Sequence, residues 1–187
     1  MSGPFRGRFF LSFKIKYDGG IRKMEKTLNG LSEAFAGESM ANRKYLAFAE
    51  QAEKEGYPAA AKLFRTIAEA ETIHAIAHFK AMGGVKSTAE NLKAALEGET
   101  YEFTEMYPAF IKDAEEEGQK NAHRSFSLAN EAEKVHGELY KKAMASLEKG
   151  KDSVFFLCPI CGYVEEENAP DTCPICKAKK EVFKTVA

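Results

Sequence analysis

GESMANRKYLAFAEQAEKEGY (37–57) followed by AEAETIHAIAHFKAM (68–82) recurs later in the chain. The second version is GETYEFTEMYPAFIKDAEEEGQ (98–119) followed by ANEAEKVHGELYKKAM (129–144). The offset is 61 residues at Gly37/Gly98 and 62 at Glu71/Glu133, His74/His136 and Met82/Met144. A single insertion across a unit of 46 residues is too regular for a chance match between two Ala/Glu/Lys-rich helices. An internal repeat constrains the fold before local propensity does, because both copies must adopt the same supersecondary unit. Each copy reads as a helical hairpin with one Glu early and a Glu-x-x-His late.

The apolar positions support that reading. Leu31, Phe35, Glu38, Ala41, Tyr45, Phe48 and Ala52 recur in steps of three and four, as an amphipathic helix requires. Gly56 is placed to cap this helix, and Pro58 suits the first turn of the next. The second stripe is Leu63, Ile67, Ala70/Glu71, His74, Ala77 and Ala81, stopped by Gly83-Gly84. Ser87-x-x-Glu90 has the form of a capping box opening a third helix. That helix continues through Leu92, Leu96, Glu99, Glu102/Phe103, Met106 and Phe110, with Pro108 expected to kink or break it. A fourth runs from about Gln119 to Leu147, with Phe126, Ala129, Glu133, His136 and Tyr140 on its inward stripe. Four long helices with short turns predict a mainly α, four-helix bundle over 24–149.

The remaining segments differ in composition. Residues 1–23 are basic and aromatic, with a short alternation from Leu11 to Tyr17 that could form a strand, and Met24 looks like a natural beginning. They are read as an N-terminal extension or over-called start, not as a secretory signal. Residues 149–153 are a polar linker, and 150–187 form a small module too short to bury a self-sufficient core. With 27 basic and 28 acidic residues and a net charge of −1, nothing favours a nucleic-acid binder. No apolar run reaches the ~18 residues of a membrane span. All four cysteines lie in two CPIC tetrapeptides, leaving none for a disulfide framework, so metal ligation in a reducing, cytoplasmic compartment is expected.

Glu38, Glu71, His74, Glu99, Glu102, Glu133 and His136 all fall on the apolar stripes. Each Glu-x-x-His places both side chains on one helix face. Glu38 precedes Gly56 by 18 residues and Glu71 follows it by 15, so the hairpin brings them roughly level, and the repeat does the same for Glu99/Glu102 with Glu133. Converging buried carboxylates repel one another and are costly without partners. No Lys or Arg on the stripes neutralises them, whereas two divalent cations would, and carboxylate with imidazole suits iron or manganese. One Glu from each of two helices plus Glu-x-x-His from each of the others is the di-iron carboxylate pattern. Glu102 breaks the repeat, since its counterpart is Ala41, and is an extra ligand available to one metal only. His78, whose repeat partner is Tyr140, is read as packing, and His123 as a surface residue. Cys158, Cys161, Cys173 and Cys176, with eleven residues between the inner pair, supply one tetrahedral tetrathiolate site for iron or zinc.

AFAGES (34–39), AEAETIH (68–74), GETYEFTEMYP (98–108), EAEKVH (131–136) and CPICGY…APDTCPIC (158–176) resemble the rubrerythrin family over residues 24–187. The resemblance implies a ferritin-like di-iron bundle joined to a rubredoxin-type module with one iron on four cysteines. It implies Glu71 and Glu133 as bridging ligands and Glu38, Glu99 and His136 as terminal ones. Glu102 and His74 would exchange at one iron with oxidation state, and Tyr45 and Tyr107 would lie near the site. It further implies a peroxidase reducing hydrogen peroxide to water, with electrons from NAD(P)H through a separate reductase or rubredoxin, in a head-to-tail homodimer. Two alternatives stay open at this point. A ferroxidase or iron-handling protein needs the bundle without the thiolate module, and a zinc-ribbon interaction protein needs no iron at all.

Overall fold

The computed structural model describes residues 26–186; the N-terminal extension, with its expected strand, lies outside the described residues. The described chain divides into two compact units, one ending at Gly84 and the other beginning at Val85.

The first unit is a helical hairpin, α1 (Lys26–Lys54) and α2 (Pro58–Ala81). Its turn is closed as the sequence predicts. Gly56 adopts a φ of 80°, open to glycine without strain. The Gly56 N–H donates to the Glu53 carbonyl and the Tyr57 N–H to that of Ala52, which satisfies the end of α1 in a Schellman motif. Pro58 enters the first turn of α2, where no N–H is needed. The seam between the helices is made of small residues: Ala49, Ala52, Ala61, Ala68 and Ala75 are buried. Buried Asn42 donates from Nδ2 to the Ala68 carbonyl at 2.7 Å and to Thr72 Oγ1 at 2.8 Å. The ligand-bearing stripe of α2 differs from expectation, since Leu63, Ile67, His74, Ala77 and Ala81 are exposed. The reason is local, because the hairpin closes through its alanines and the larger residues lie beside that seam.

The second unit holds the other hairpin and the cysteine module. Ser87 caps α3 (Thr88–Tyr101) with both halves of the capping box present. The expected third helix is not a continuous α-helix. Residues 102–106 form a π-helical turn, closed by the Tyr107 N–H donating to the Glu102 carbonyl, and α4 (Tyr107–Glu116) follows. A π-turn accommodates one residue more than the α-helical path. This is where the repeat offset changes, from 61 at Glu38/Glu99 to 62 at Tyr45/Tyr107. Pro108 stands in the first turn of α4, where its missing N–H is harmless. Gly118, at φ 68°, repeats the role of Gly56 before α5 (Lys120–Ala145). The repeat extends to packing. Tyr45, Phe48 and Phe64 form one aromatic cluster, and Tyr107, Phe110 and Phe126 form its copy.

After the linker, β1 (Phe155–Leu157) pairs antiparallel with β2 (Val164–Glu166) on one side and β3 (Lys184–Val186) on the other. The core of this module is Cys158, Tyr163 and Cys173, with Val135 of α5 packed against it. The module is thus seated on α5. No helix among the described residues is long and apolar enough to cross a membrane.

Candidate metal centres

Ten of the eleven predicted ligands gather into three clusters, and Glu102 falls in none of them. Glu38, Glu71 and His74 form one in the first unit. Glu99, Glu133 and His136 form the second, and the four cysteines the third, both in the second unit; in each, the ligand atoms lie within 4.8 Å of one another. Within the first, His74 Nδ1 lies 3.0 Å from Glu71 Oε2. The three-residue spacing on α2 produces this contact.

The second cluster is more enclosed. His136 Nδ1 sits 2.6 Å from Glu133 Oε2 and 3.7 Å from Glu99 Oε2. Glu99 Oε2 is buried with no hydrogen-bond partner. Burial, followed by the neighbouring Glu133 carboxylate, pushes the Glu99 acid up to about 7. The hydrogen bond to Glu133 holds His136 up to about 9, against burial. Glu102, at the start of the π-turn, is also raised, by burial and then by Glu133. Burial raises Tyr107 first, and Glu133, Glu102 and Glu99 add to it, so this tyrosine faces the same carboxylates. Tyr45 packs against Phe48 and Phe64 as its repeat partner does.

These residues fit divalent cations. An orphaned, buried carboxylate oxygen among like charges lacks a positive partner, which a metal ion supplies. His136 is oriented for a metal: Nε2–H donates to the Gly162 carbonyl at 2.8 Å, so once Nδ1 gives up the proton it shares with Glu133 its lone pair is directed at the carboxylates.

The cysteine cluster fits a tetrahedral ion equally well. Cys158 and Cys176 Sγ are 3.6 Å apart, as are Cys161 and Cys173 Sγ. A tetrahedron with metal–sulfur bonds of about 2.3 Å has edges of about 3.75 Å, whereas a disulfide needs about 2.05 Å. Burial raises the Cys173 thiol, but backbone N–H groups of Cys176 and Ile175 outweigh it and draw the thiol below its usual range, toward thiolate.

Two participants carry no sequence motif. Gly162 acts through its backbone carbonyl, and its φ of 83° turns that carbonyl toward α5. Tyr140 is raised by burial and then by Glu99 and Glu133, which places it near the second cluster. Its position four residues after His136 on one helix face was the available signal.

Comparison with known proteins agrees with this geometry. Residues 29–144 match the rubrerythrin family model, and residues 156–184 match that of the rubrerythrin rubredoxin-like domain. Rubrerythrin-2 of Clostridium acetobutylicum is 36% identical over 179 residues, covering 87% of this chain and 97% of its own. Nigerythrin of Nitratidesulfovibrio vulgaris is 39% identical over 171 residues, covering 84% of this chain and 85% of its own. Among solved structures, partially reduced nigerythrin aligns with a TM-score of 0.54 at 36% identity, covering 91% of each chain. With its ferritin-like helices, its carboxylate–histidine clusters and its rubredoxin-like tetrathiolate module, the chain belongs to the rubrerythrin family of di-iron, peroxide-reducing proteins.

Proposed function

We propose that this protein is a non-haem di-iron peroxidase that reduces hydrogen peroxide to water in the cytoplasm. Its electrons come from NAD(P)H through a separate reductase or rubredoxin. In this reading the bundle (24–149) holds the iron pair and the C-terminal module (150–187) the single iron. Glu71 and Glu133 would serve both ions, and Glu38, Glu99 and His136 would each hold one. Glu102 and His74 would serve as alternative ligands of one ion, and Cys158, Cys161, Cys173 and Cys176 would hold the third. When bound, the irons supply the redox chemistry: a one-electron relay at the thiolates and a two-electron donor at the carboxylates.

The observation that carries this reading is the hydrogen bond from His136 Nε2 to the Gly162 carbonyl. Gly162 directly follows Cys161, so a tetrathiolate ligand and a carboxylate-cluster ligand are joined through one peptide and one hydrogen bond. A ferroxidase has no use for such a link, and a zinc ribbon has no electron to pass. The residues around the cluster also manage protons. Tyr107, kept in its phenol form by burial and three carboxylates, holds a proton at Oη beside the second cluster. His136 Nε2–H stays committed to Gly162, which fixes the ring and reserves Nδ1 for the metal.

The test is the visible spectrum of chemically reduced, anaerobic protein given one equivalent of hydrogen peroxide. Rapid return of the ferric-thiolate colour in the native protein, and slow return in Glu71→Ala, is the expected result. A thiolate module that stays reduced while the bundle oxidises would instead favour the ferroxidase. Absence of colour at every stage would mean zinc in the module.

A further inference from the structure

We propose that Glu166 is a positioning residue: with Lys142 and Ser153 it forms a clamp that fixes the orientation of the cysteine module on α5, and so keeps the Gly162 carbonyl against His136. This rests on the reading that electrons pass from the thiolate-bound metal to the carboxylate cluster.

Both α5 and the module belong to the second unit. The tether between them is residues 146–154, which reach about 33 Å when extended. A tether of that reach sets no orientation, so the contacts with α5 must. Ala132, Val135, His136 and Lys142 fall within about 120° of the helix surface, at ~3.6 residues per turn. Val135 packs against the module's core, and the Gly162 backbone stands beside Ala132. His136 Nε2–H donates to the Gly162 carbonyl at 2.8 Å. These contacts gather around one turn of α5, so alone they leave the module free to pivot. Lys142 lies further along the helix, about 9 Å from His136 at ~1.5 Å per residue. Its Nζ donates to Glu166 Oε2 at 2.5 Å, and Ser153 Oγ donates to Glu166 Oε1 at 2.7 Å. Glu166 ends β2. One carboxylate therefore ties helix, linker and sheet together at a second point. Two separated points stop a rotation that one permits.

The charges agree. The hydrogen bond from Lys142, then that from Ser153, holds the Glu166 acid below the usual carboxylate range, so it stays ionised. Glu165 and Glu167 flank it in sequence and act on Lys142 as well. The Glu166 side chain is 17% exposed and that of Lys142 63%. An ion pair this open to water adds little to stability. The clamp therefore acts on where the module sits, and its loss should leave both the fold and the thiolate site intact.

The test uses the full chain loaded with iron, reduced anaerobically and given one equivalent of hydrogen peroxide. Glu166→Gln and Lys142→Met should return the ferric-thiolate colour about fivefold more slowly than native protein, the upper end of what an open ion pair supplies. Melting temperature, iron content and thiolate spectrum should not change. Lys142→Arg, which keeps the charge and a donor, should return the colour at the native rate. Raising ionic strength from about 0.01 M to about 1 M shortens the Debye length from ~30 Å to ~3 Å. That change should slow native protein and leave Glu166→Gln unaffected. A native rate in Glu166→Gln, or a slower one only where thiolate iron is also lost, would overturn the proposal. A second arm needs no electron transfer. A carbodiimide, which takes up the water released, should join Lys142 Nζ to the Glu166 carboxyl as an amide, found by mass spectrometry of tryptic peptides. Absence of that amide at low ionic strength would overturn the clamp. If the amide forms while native protein returns no colour at all, the electron-relay reading fails and the clamp stands.

Discussion

At Glu99 the protein keeps a carboxylate oxygen buried with no hydrogen-bond partner, close to Glu133 and His136. The acid is pushed up to about 7, and His136 is held up to about 9. Metal binding must displace both protons. Apparent affinity of the chelated apoprotein for Fe(II) or Mn(II) should rise about tenfold per pH unit between pH ~7 and ~9, and more steeply below. A pH-independent affinity in a competition titration would contradict this. Stability has the opposite sign without metal. Both groups bind protons more tightly folded than unfolded, so their contribution is complete at low pH. It fades as pH rises from the unfolded values of 4.5 and 6.5 through the folded ones. Apoprotein should therefore melt at progressively lower temperature from about pH 5 to about pH 9, as followed by circular dichroism. The identities of these residues were legible because carboxylates at helical phase in an apolar stripe are costly unless paired. The carbonyl of Gly162 was not legible, because a backbone acceptor leaves no mark in sequence beyond a glycine.

The π-turn is the element with the clearest sequence cause. One residue inserted in the second repeat appears as a shift of offset, and the helix absorbs it at 102–106 without losing Pro108 from a first-turn position. The insertion was visible in the alignment of the repeats, but its form was not, since a π-turn, a kink and a loop all absorb one residue. Glu102→Ala should leave the helices intact, because the equivalent residue of the first repeat is already Ala41. Peroxide turnover should fall about 10- to 100-fold, the usual cost of disturbing groups that tune a metal site. Unchanged turnover would remove Glu102 from the mechanism. The contact between α5 and the module is equally local. Gly162 has a left-handed φ, and an added Cβ would meet Ala132 Cβ at 3.8 Å. The contact itself is ordinary, so the cost of Gly162→Ala is backbone strain of about 1–3 kcal/mol. Its expected signature in nuclear magnetic resonance is loss of the slowly exchanging His136 Nε2–H together with a lower melting temperature for the module.

Taken as a whole, the molecule is two hairpins of one design plus a module stapled by four thiolates. The helical hairpins, their repeat and the residues that gather into carboxylate–histidine clusters could be read from periodicity. Which faces a single chain covers could not, because periodicity identifies an apolar stripe without naming its partner; Leu63 and Ile67 show this directly. The module's core consists largely of its own ligands, Cys158 and Cys173, around Tyr163. Cys158→Ser, or removal of the thiolate metal by a strong chelator, should melt residues 150–186 while helical ellipticity persists. Cooperative loss of both signals would show that the helices depend on the module. Both hairpins share one further trait. Small residues line their buried seams, Ala49, Ala52, Ala61, Ala68 and Ala75 in the first, Ala114, Ala132 and Gly137 in the second. Such seams place helix axes near the short end of the usual ~8–10 Å. Two donor atoms on one ion with bonds of about 2.0–2.2 Å can stand no more than ~4.4 Å apart. The alanines therefore work as a pair of calipers: a leucine at position 68 would open the jaws, and an ion of the right radius would no longer touch both sides.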